Sequence, residues 1–259
     1  MTTKESDRHV MAVVAALSLL ECFERDEALR LKDFHTRTGI QKSRILRLLG
    51  TLEHTGFISS TENTFRLGPK ILALGQVVND SFQDLAAQFK PALQSITNTM
   101  GDTSFLSVVR GNQRMVLTQT TPEDGLCFKI PNGQLRPLHA GATGKVLLAF
   151  SKSEFIDHVL SCELVGLTAN TQIDARRLSV ELAQVRQQKF AVSSAEATPH
   201  AYAISKPVLD SAGVILAAIT VAGPATRLDQ SMIDRTMALM DEGIENALRL
   251  SHLRHHSAQ

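Results

Sequence analysis

Gln41, Lys42, Ser43, Arg44 and Arg47 crowd into seven positions and carry the side chains that nucleic acid calls for. Lysine and arginine neutralise phosphates and match the O6 and N7 acceptors of guanine. Glutamine matches adenine, and a serine hydroxyl donates to phosphate oxygen. No acid lies between Asp33 and Glu53, so this positive charge is locally uncompensated. Ile45, Leu48, Leu49 and Leu52 recur at three- and four-residue intervals, which predicts a helix over 41–54 with the apolar residues on one face. Gly39 before it and Gly56 after it supply the left-handed backbone that tight turns require. A basic, hydroxyl-bearing helix after a glycine turn fits a DNA major groove. The same pattern also describes a core helix with a solvated basic face, and the segment alone leaves both open.

The rest of the chain must position that helix. Its 259 residues are enough for two domains, and 43% hydrophobic with 20% charged residues is ordinary for a soluble globular protein. The formal net charge of +1 gives no general attraction to nucleic acid or membrane, so any DNA affinity must be local. An apolar helix with Val13, Val14, Leu17 and Leu20 is expected over 10–24 as a core helix, and a short helix over 31–37 as the first member of a helix-turn-helix. Residues 57–60 and 64–67 read as two strands joined by a turn at Thr61, Glu62 and Asn63, which makes a wing. Pro69 then opens a linker helix with Ile71, Leu72 and Leu74, a candidate dimer contact, and a further helix is expected over 81–99.

Beyond Asp102 the period changes. Residues 104–110 and 114–120 form a hairpin signature around Gly111, and later β runs cover 204–209 and 214–221. Helices are expected over 143–150, 153–160, 175–188 and 230–250. Ser151 with Glu154 offers a capping-box spacing for the second of these, and Asp174 and Asp229 should cap the last two. The fold class is therefore α+β: a winged helix-turn-helix over 1–68, a linker helix over 69–80, and an antiparallel-sheet domain for small-molecule sensing or enzymatic work over 81–259.

Several chemistries are disfavoured. Cys22, Cys127 and Cys162 are far apart and odd in number, which speaks against a disulfide framework or a zinc site. Nine histidines contain no HExxH, and no serine sits in a GxSxG turn, so neither a metal nor a catalytic residue is named. No cofactor is implied. The stretch 139–145 resembles a phosphate loop only superficially, because only two residues separate Gly141 from Gly144, where such a loop has four, and Val146 follows Lys145. What survives is a small-residue turn opening a helix whose free N–H groups suit a carboxylate. There is no signal-peptide pattern and no apolar run of the roughly 18 residues that span a bilayer, so the expected location is cytoplasmic, with no membrane partner.

Five segments, in order and spacing, carry a resemblance: TGIQKSRILRLLGTLEHTGFI, FRLGPKILALG, PLHAGATGKVLLAF, LTANTQIDARRLSVELAQVR and KPVLDSAGVILAAITVAGP. The chain resembles the IclR family of bacterial transcription regulators over about residues 10–249. The resemblance implies a winged helix, a linker helix and a GAF-like effector domain. It also implies a homodimer or homotetramer on a double-stranded, palindromic operator, and a small organic acid that adjusts transcription of catabolic genes. Effector contacts are then expected at Ala142 and Thr143, with Leu126 and Phe128 as an apolar wall, Ser193, Ala201 and Ala203 opposite, and Thr220 adding a hydroxyl. In the DNA reading Gln41, Lys42 and Arg44 reach base edges, while Ser43, Arg47 and the wing residue Arg66 meet phosphates. The chain departs from the family at Lys189 and His200, where glycine is usual, and near Ser193, where an acid is common.

Overall fold

A computed structural model describes residues 10–256, apart from 25, 124–126 and 129; the side chains of 24, 77–81 and 250–256 are likewise outside the description. The chain divides between Ser81 and Phe82 into two compact units.

The first unit is built on α1 (Met11–Glu21), α2 (Leu31–Thr38) and α3 (Lys42–His54), closed by a three-stranded sheet in the order β1-β3-β2, with β1 (Leu29–Arg30), β2 (Ile58–Thr61) and β3 (Thr64–Leu67). Leu19, Phe34, Ile45, Leu49 and Ile58 are almost fully buried between them. Phe34 makes edge-on contacts with Phe23 and Phe65, at centroid distances of 5.4 and 5.9 Å. Gly39 ends α2 in the left-handed region at φ 68°, as the turn between two crossing helices needs. The wing turn is tighter than expected. Thr61 pairs with Thr64, so only Glu62 and Asn63 form the loop, both at positive φ, the backbone of a two-residue hairpin. Gly68 admits no side chain, because a Cβ there would lie 2.3 Å from the Gly56 carbonyl oxygen.

The expectation that the first helix is wholly a core helix is corrected. Ala15 and Leu19 are buried, but Val10, Met11, Val13, Val14 and Leu17 are 38–68% exposed. The linker helix and its successor are also corrected, to one helix, α4 (Pro69–Met100), which continues through Pro91.

The second unit holds a six-stranded, fully antiparallel sheet in the order β6-β5-β4-β9-β8-β7. The strands are β4 (Thr103–Arg110), β5 (Gln113–Thr120), β6 (Leu135–Pro137), β7 (Ala191–Ser194), β8 (Ala201–Leu209) and β9 (Ile215–Pro224). One face packs on the C-terminal part of α4 and on α8 (Gln230–His256), burying Phe89, Leu93, Ile96, Leu106, Ile204 and Met240. The other carries α5 (Gly141–Ala149) and, beyond it, α6 (Ser153–Ser161) and α7 (Ala175–Gln188), around Val146, Leu147, Leu178 and Leu182. Asp174 caps α7 through the N–H groups of Arg176 and Arg177, and Asp229 accepts from Met232 N–H. Ser151 does not cap α6, since its hydroxyl turns back to the Leu147 carbonyl and Lys152 takes the cap position.

Asp102 fastens the α4 end of the sheet. It is 2% exposed, accepts from Tyr202 Oη at 2.7 Å and pairs with Arg227 at 2.7 Å. Burial raises its carboxyl pKa, against the opposing pull of the Tyr202 hydrogen bond and the Arg227 charge. Gly223 makes room for it, as a Cβ there would lie 2.4 Å from the carboxylate.

Lys189 and His200, the two departures from glycine, sit at φ 62° and 59°. A side chain in that region is strained by its own Cβ. Lys189→Gly and His200→Gly should each stabilise the second unit by about 0.5–1 kcal/mol, the usual advantage of glycine in a left-handed cap. Chemical denaturation checks this: the midpoint should rise with no change in slope.

Candidate functional site

Two sites can be built from these elements, one in each unit. In the first, the apolar positions of α3 point inward, and Gln41, Lys42, Ser43, Arg44 and Arg47 are all exposed. Arg44 donates to the Met11 carbonyl at 3.3 Å, and Leu46, 51% exposed, shares the open face with Lys42 and Arg47. Arg66 is exposed on β3. Glu53 holds the wing against the helix, since its carboxylate accepts from Ser60 N–H at 3.1 Å and from Ser60 Oγ at 2.6 Å. That acid is consumed internally and does not offset the basic edge.

In the second unit, the open end of the sheet and the start of α5 enclose a cavity of about 110 Å³. Phe128, Ala142, Thr143, Ser193, Ala201 and Ala203, all expected from the sequence, line it. Leu126 lies outside the described residues. Thr220 is not among the lining residues; its hydroxyl is 3.0 Å from Thr143 Oγ1 and 2.9 Å from Ser205 Oγ, a closed chain of three buried hydroxyls. Phe105, Ile130 and Ala222 complete the apolar wall. Tyr202 turns its hydroxyl to Asp102 and offers the cavity no polar group.

The helix start is partly occupied. Ala142 N–H donates to Ser193 Oγ at 2.9 Å, and Gly141 N–H to Glu196 Oε2 at 3.3 Å. Glu196 also pairs with Lys145 at 2.7 Å, and Lys145, itself buried, pairs with Glu181 at 2.7 Å. Glu196, three residues after Ser193, therefore shares the Lys145 cation with Glu181. The glycines serve packing: Gly141 adopts φ 76°, and a Cβ on Gly144 would lie 2.3 Å from the Leu138 carbonyl oxygen. His139 is engaged by the Val165 carbonyl, 2.9 Å from its Nε2.

Two arginines escape a reading of the sequence alone. Arg114 and Arg136 are direct cross-strand partners on β5 and β6, and both line the cavity. Arg114 is 5% exposed, and its Nε and Nη1 have no hydrogen-bond partner. Desolvation, reinforced by the Arg136 charge, lowers its pKa from the ordinary arginine range to about 10, so it remains a cation at neutral pH. Arg136 donates only to neutral oxygens, the Ala197 carbonyl at 2.7 Å and Thr198 Oγ1 at 3.4 Å, and burial lowers its pKa too. The sequence carries no signal for this, because the buried positions of β5, 114, 116, 118 and 120, hold arginine, valine and two threonines and show no apolar alternation. A charge at a core-facing position of such a strand marks a site, because an uncompensated buried cation is costly.

Comparison with known proteins gives both units a family. The IclR helix-turn-helix domain matches residues 12–62, and the bacterial transcriptional regulator IclR C-terminal domain matches residues 79–247. The regulator BhcR of Paracoccus denitrificans is 28% identical over 250 residues, covering 95% of this chain and 88% of that protein. An IclR transcriptional regulator from Alicyclobacillus acidocaldarius shares the fold, with a TM-score of 0.73 at 24% identity over 92% of this chain and 98% of its own. An IclR homologue from Microbacterium hydrocarbonoxydans, solved with 4-hydroxybenzoate, does so at a TM-score of 0.71 and 21% identity, over 92% and 99%. The two matched domains span most of the sequence, in the same order as the two units, and the chain belongs to the IclR family of DNA-binding bacterial transcription regulators, not of enzymes.

Proposed function

We propose that the protein is an acid-responsive regulator in which a small organic carboxylate, seated in the cavity of the second unit, alters operator binding by the first. The observation that carries the reading is Arg114: a permanent cation, 5% exposed, lining a cavity and lacking an internal anion among the described residues. A ligand carboxylate supplies the missing charge-assisted hydrogen bonds, while Phe105, Phe128 and Ile130 receive its apolar part. The 4-hydroxybenzoate bound by the Microbacterium homologue is an acid of the same broad kind.

At the output end, Gln41, Lys42 and Arg44 read base edges, and Ser43, Arg47 and Arg66 meet phosphates. We take the DNA-binding domain as 1–68, the linker as 69–80 and the effector domain as 81–259. The exposed apolar stripe of α1 and the exposed Leu72 and Leu74 of α4 favour a homodimer, alone or within a homotetramer, on a palindromic operator. Catabolic genes in the bacterial cytoplasm are the natural targets of such a switch. Acid binding shifts DNA affinity only through unequal affinity for two arrangements of the protein.

A thermal-shift screen of small aliphatic and aromatic acids on the purified chain tests the reading. A true effector at about a hundred times its Kd should add roughly 2.7 kcal/mol of stability by mass action. Absence of any stabilising acid would remove the proposal.

A further inference from the structure

Three cations stand near the cavity, Lys145 and Arg114 buried and Arg136 half-buried, and among the described residues only Lys145 meets an acid. Lys145 has Glu181 and Glu196. Arg114 has no anionic partner among the described residues, and Arg136 has two neutral oxygens. None of the described residues lining the cavity is an aspartate or glutamate. At the mouth of α5, Glu196 is committed to Lys145 and Gly141 N–H. Arg114 and Arg136 thus stand side by side, in register across β5 and β6, with no acidic partner among the described residues. A single carboxylate leaves that pair with a net positive charge.

Size adds a second constraint. About 110 Å³ is less than the ~150 Å³ of a cavity that accommodates benzene. That space suits a short aliphatic chain better than an aromatic ring.

We propose that the effector is a short aliphatic dicarboxylate, with one carboxylate on Arg114, the other on Arg136, and the methylene spacer against Phe105 and Ile130. This rests on the reading of the cavity as the effector site, which it narrows from acids in general to dianions. On binding, the Arg136 guanidinium exchanges its bond to Thr198 Oγ1, the longer of its two, for a charged acceptor. The free energy of neutralising the arginine pair then becomes binding free energy.

The test is calorimetric titration of the full-length wild-type protein with matched pairs: succinate against butyrate, and glutarate against pentanoate. sn-Glycerol 3-phosphate serves as a dianion of different chemistry. The diacid of at least one pair should bind about tenfold or more tightly than its monoacid, since a second charge-assisted hydrogen bond is gained. In Arg136→Gln that ratio should fall to about threefold or less, because the second carboxylate meets a neutral amide. If monoacids bind as well as diacids in the wild type, the dianion proposal falls while the acid-responsive reading stands. Glycerol 3-phosphate binding in place of the diacids overturns the dicarboxylate assignment. Failure of every acid, diacid or monoacid, removes both. The wild-type comparison decides the matter even if Arg136→Gln does not fold.

Discussion

Replacing Arg114 by methionine is expected to stabilise the ligand-free protein while removing its response to acids. Burial pushes the guanidinium pKa down to about 10, well below the ordinary arginine range, which costs the folded state on the order of a few kcal/mol at neutral pH. The sign follows from the lowered folded value. The unfolded chain holds this proton more tightly, so the cost is fully present below pH 10 and is relieved as pH rises toward the unfolded value. Methionine keeps the volume and drops the charge, and apolar replacement of buried charges is often stabilising by about 1–4 kcal/mol. For a domain of this size that amounts to about 2–16 °C in Tm. Differential scanning calorimetry of the ligand-free variant checks the gain, and titration with acids checks the loss. A residue that only filled space would show neither effect.

The second large effect is expected on α3. Arg47→Ala should weaken operator and random DNA alike, by about tenfold at 0.15 M salt. It should also lower the slope of log K against log salt by about one for each phosphate no longer neutralised, or about two per dimer. Arg44→Ala should instead cost about 1–3 kcal/mol of discrimination and leave random-sequence binding nearly intact. Fluorescence anisotropy at several salt concentrations separates the two patterns. If Arg44→Ala keeps full selectivity, its base-reading assignment is wrong. Because the chain has a net charge of only +1, these few residues must supply most of the attraction, so each loss is large.

The two sites differ in how far the sequence disclosed them. The basic helix α3 was legible because one local pattern carries it: Ile45, Leu49 and Leu52 point inward at helical spacing, and the basic residues are left outside. The wing, the α7 cap at Asp174 and the β4 and β5 strands were legible for the same reason, as their signals lie within a few residues of one another. The cavity was only half legible. Its small residues, Ala142, Thr143, Ser193 and Ala203, were reached through family resemblance, but Arg114 and Arg136 were not.

Those two arginines come together by strand register, β5 against β6, and β6 is a three-residue strand with no periodicity of its own. β7 was likewise missed as a short strand, and its pairing with β8 places Ser193 opposite Ala203. The exposed apolar side of α1 shows the complementary error. Its dense run of alanine, valine and leucine suggested burial, yet a helix apolar all round can be buried on one side by its own unit and leave the other for a second chain.

An acid that neutralises Arg114 should control DNA affinity. An operator is selected in vitro from random DNA, and its affinity is measured with and without a stabilising acid, for the wild type and for Arg114→Met. Affinity should change by about 5–150-fold in the wild type, the usual span of allosteric coupling, and by a ratio near one in the variant. A variant that binds DNA and still responds fully to the acid would show that Arg114 does not anchor the effector.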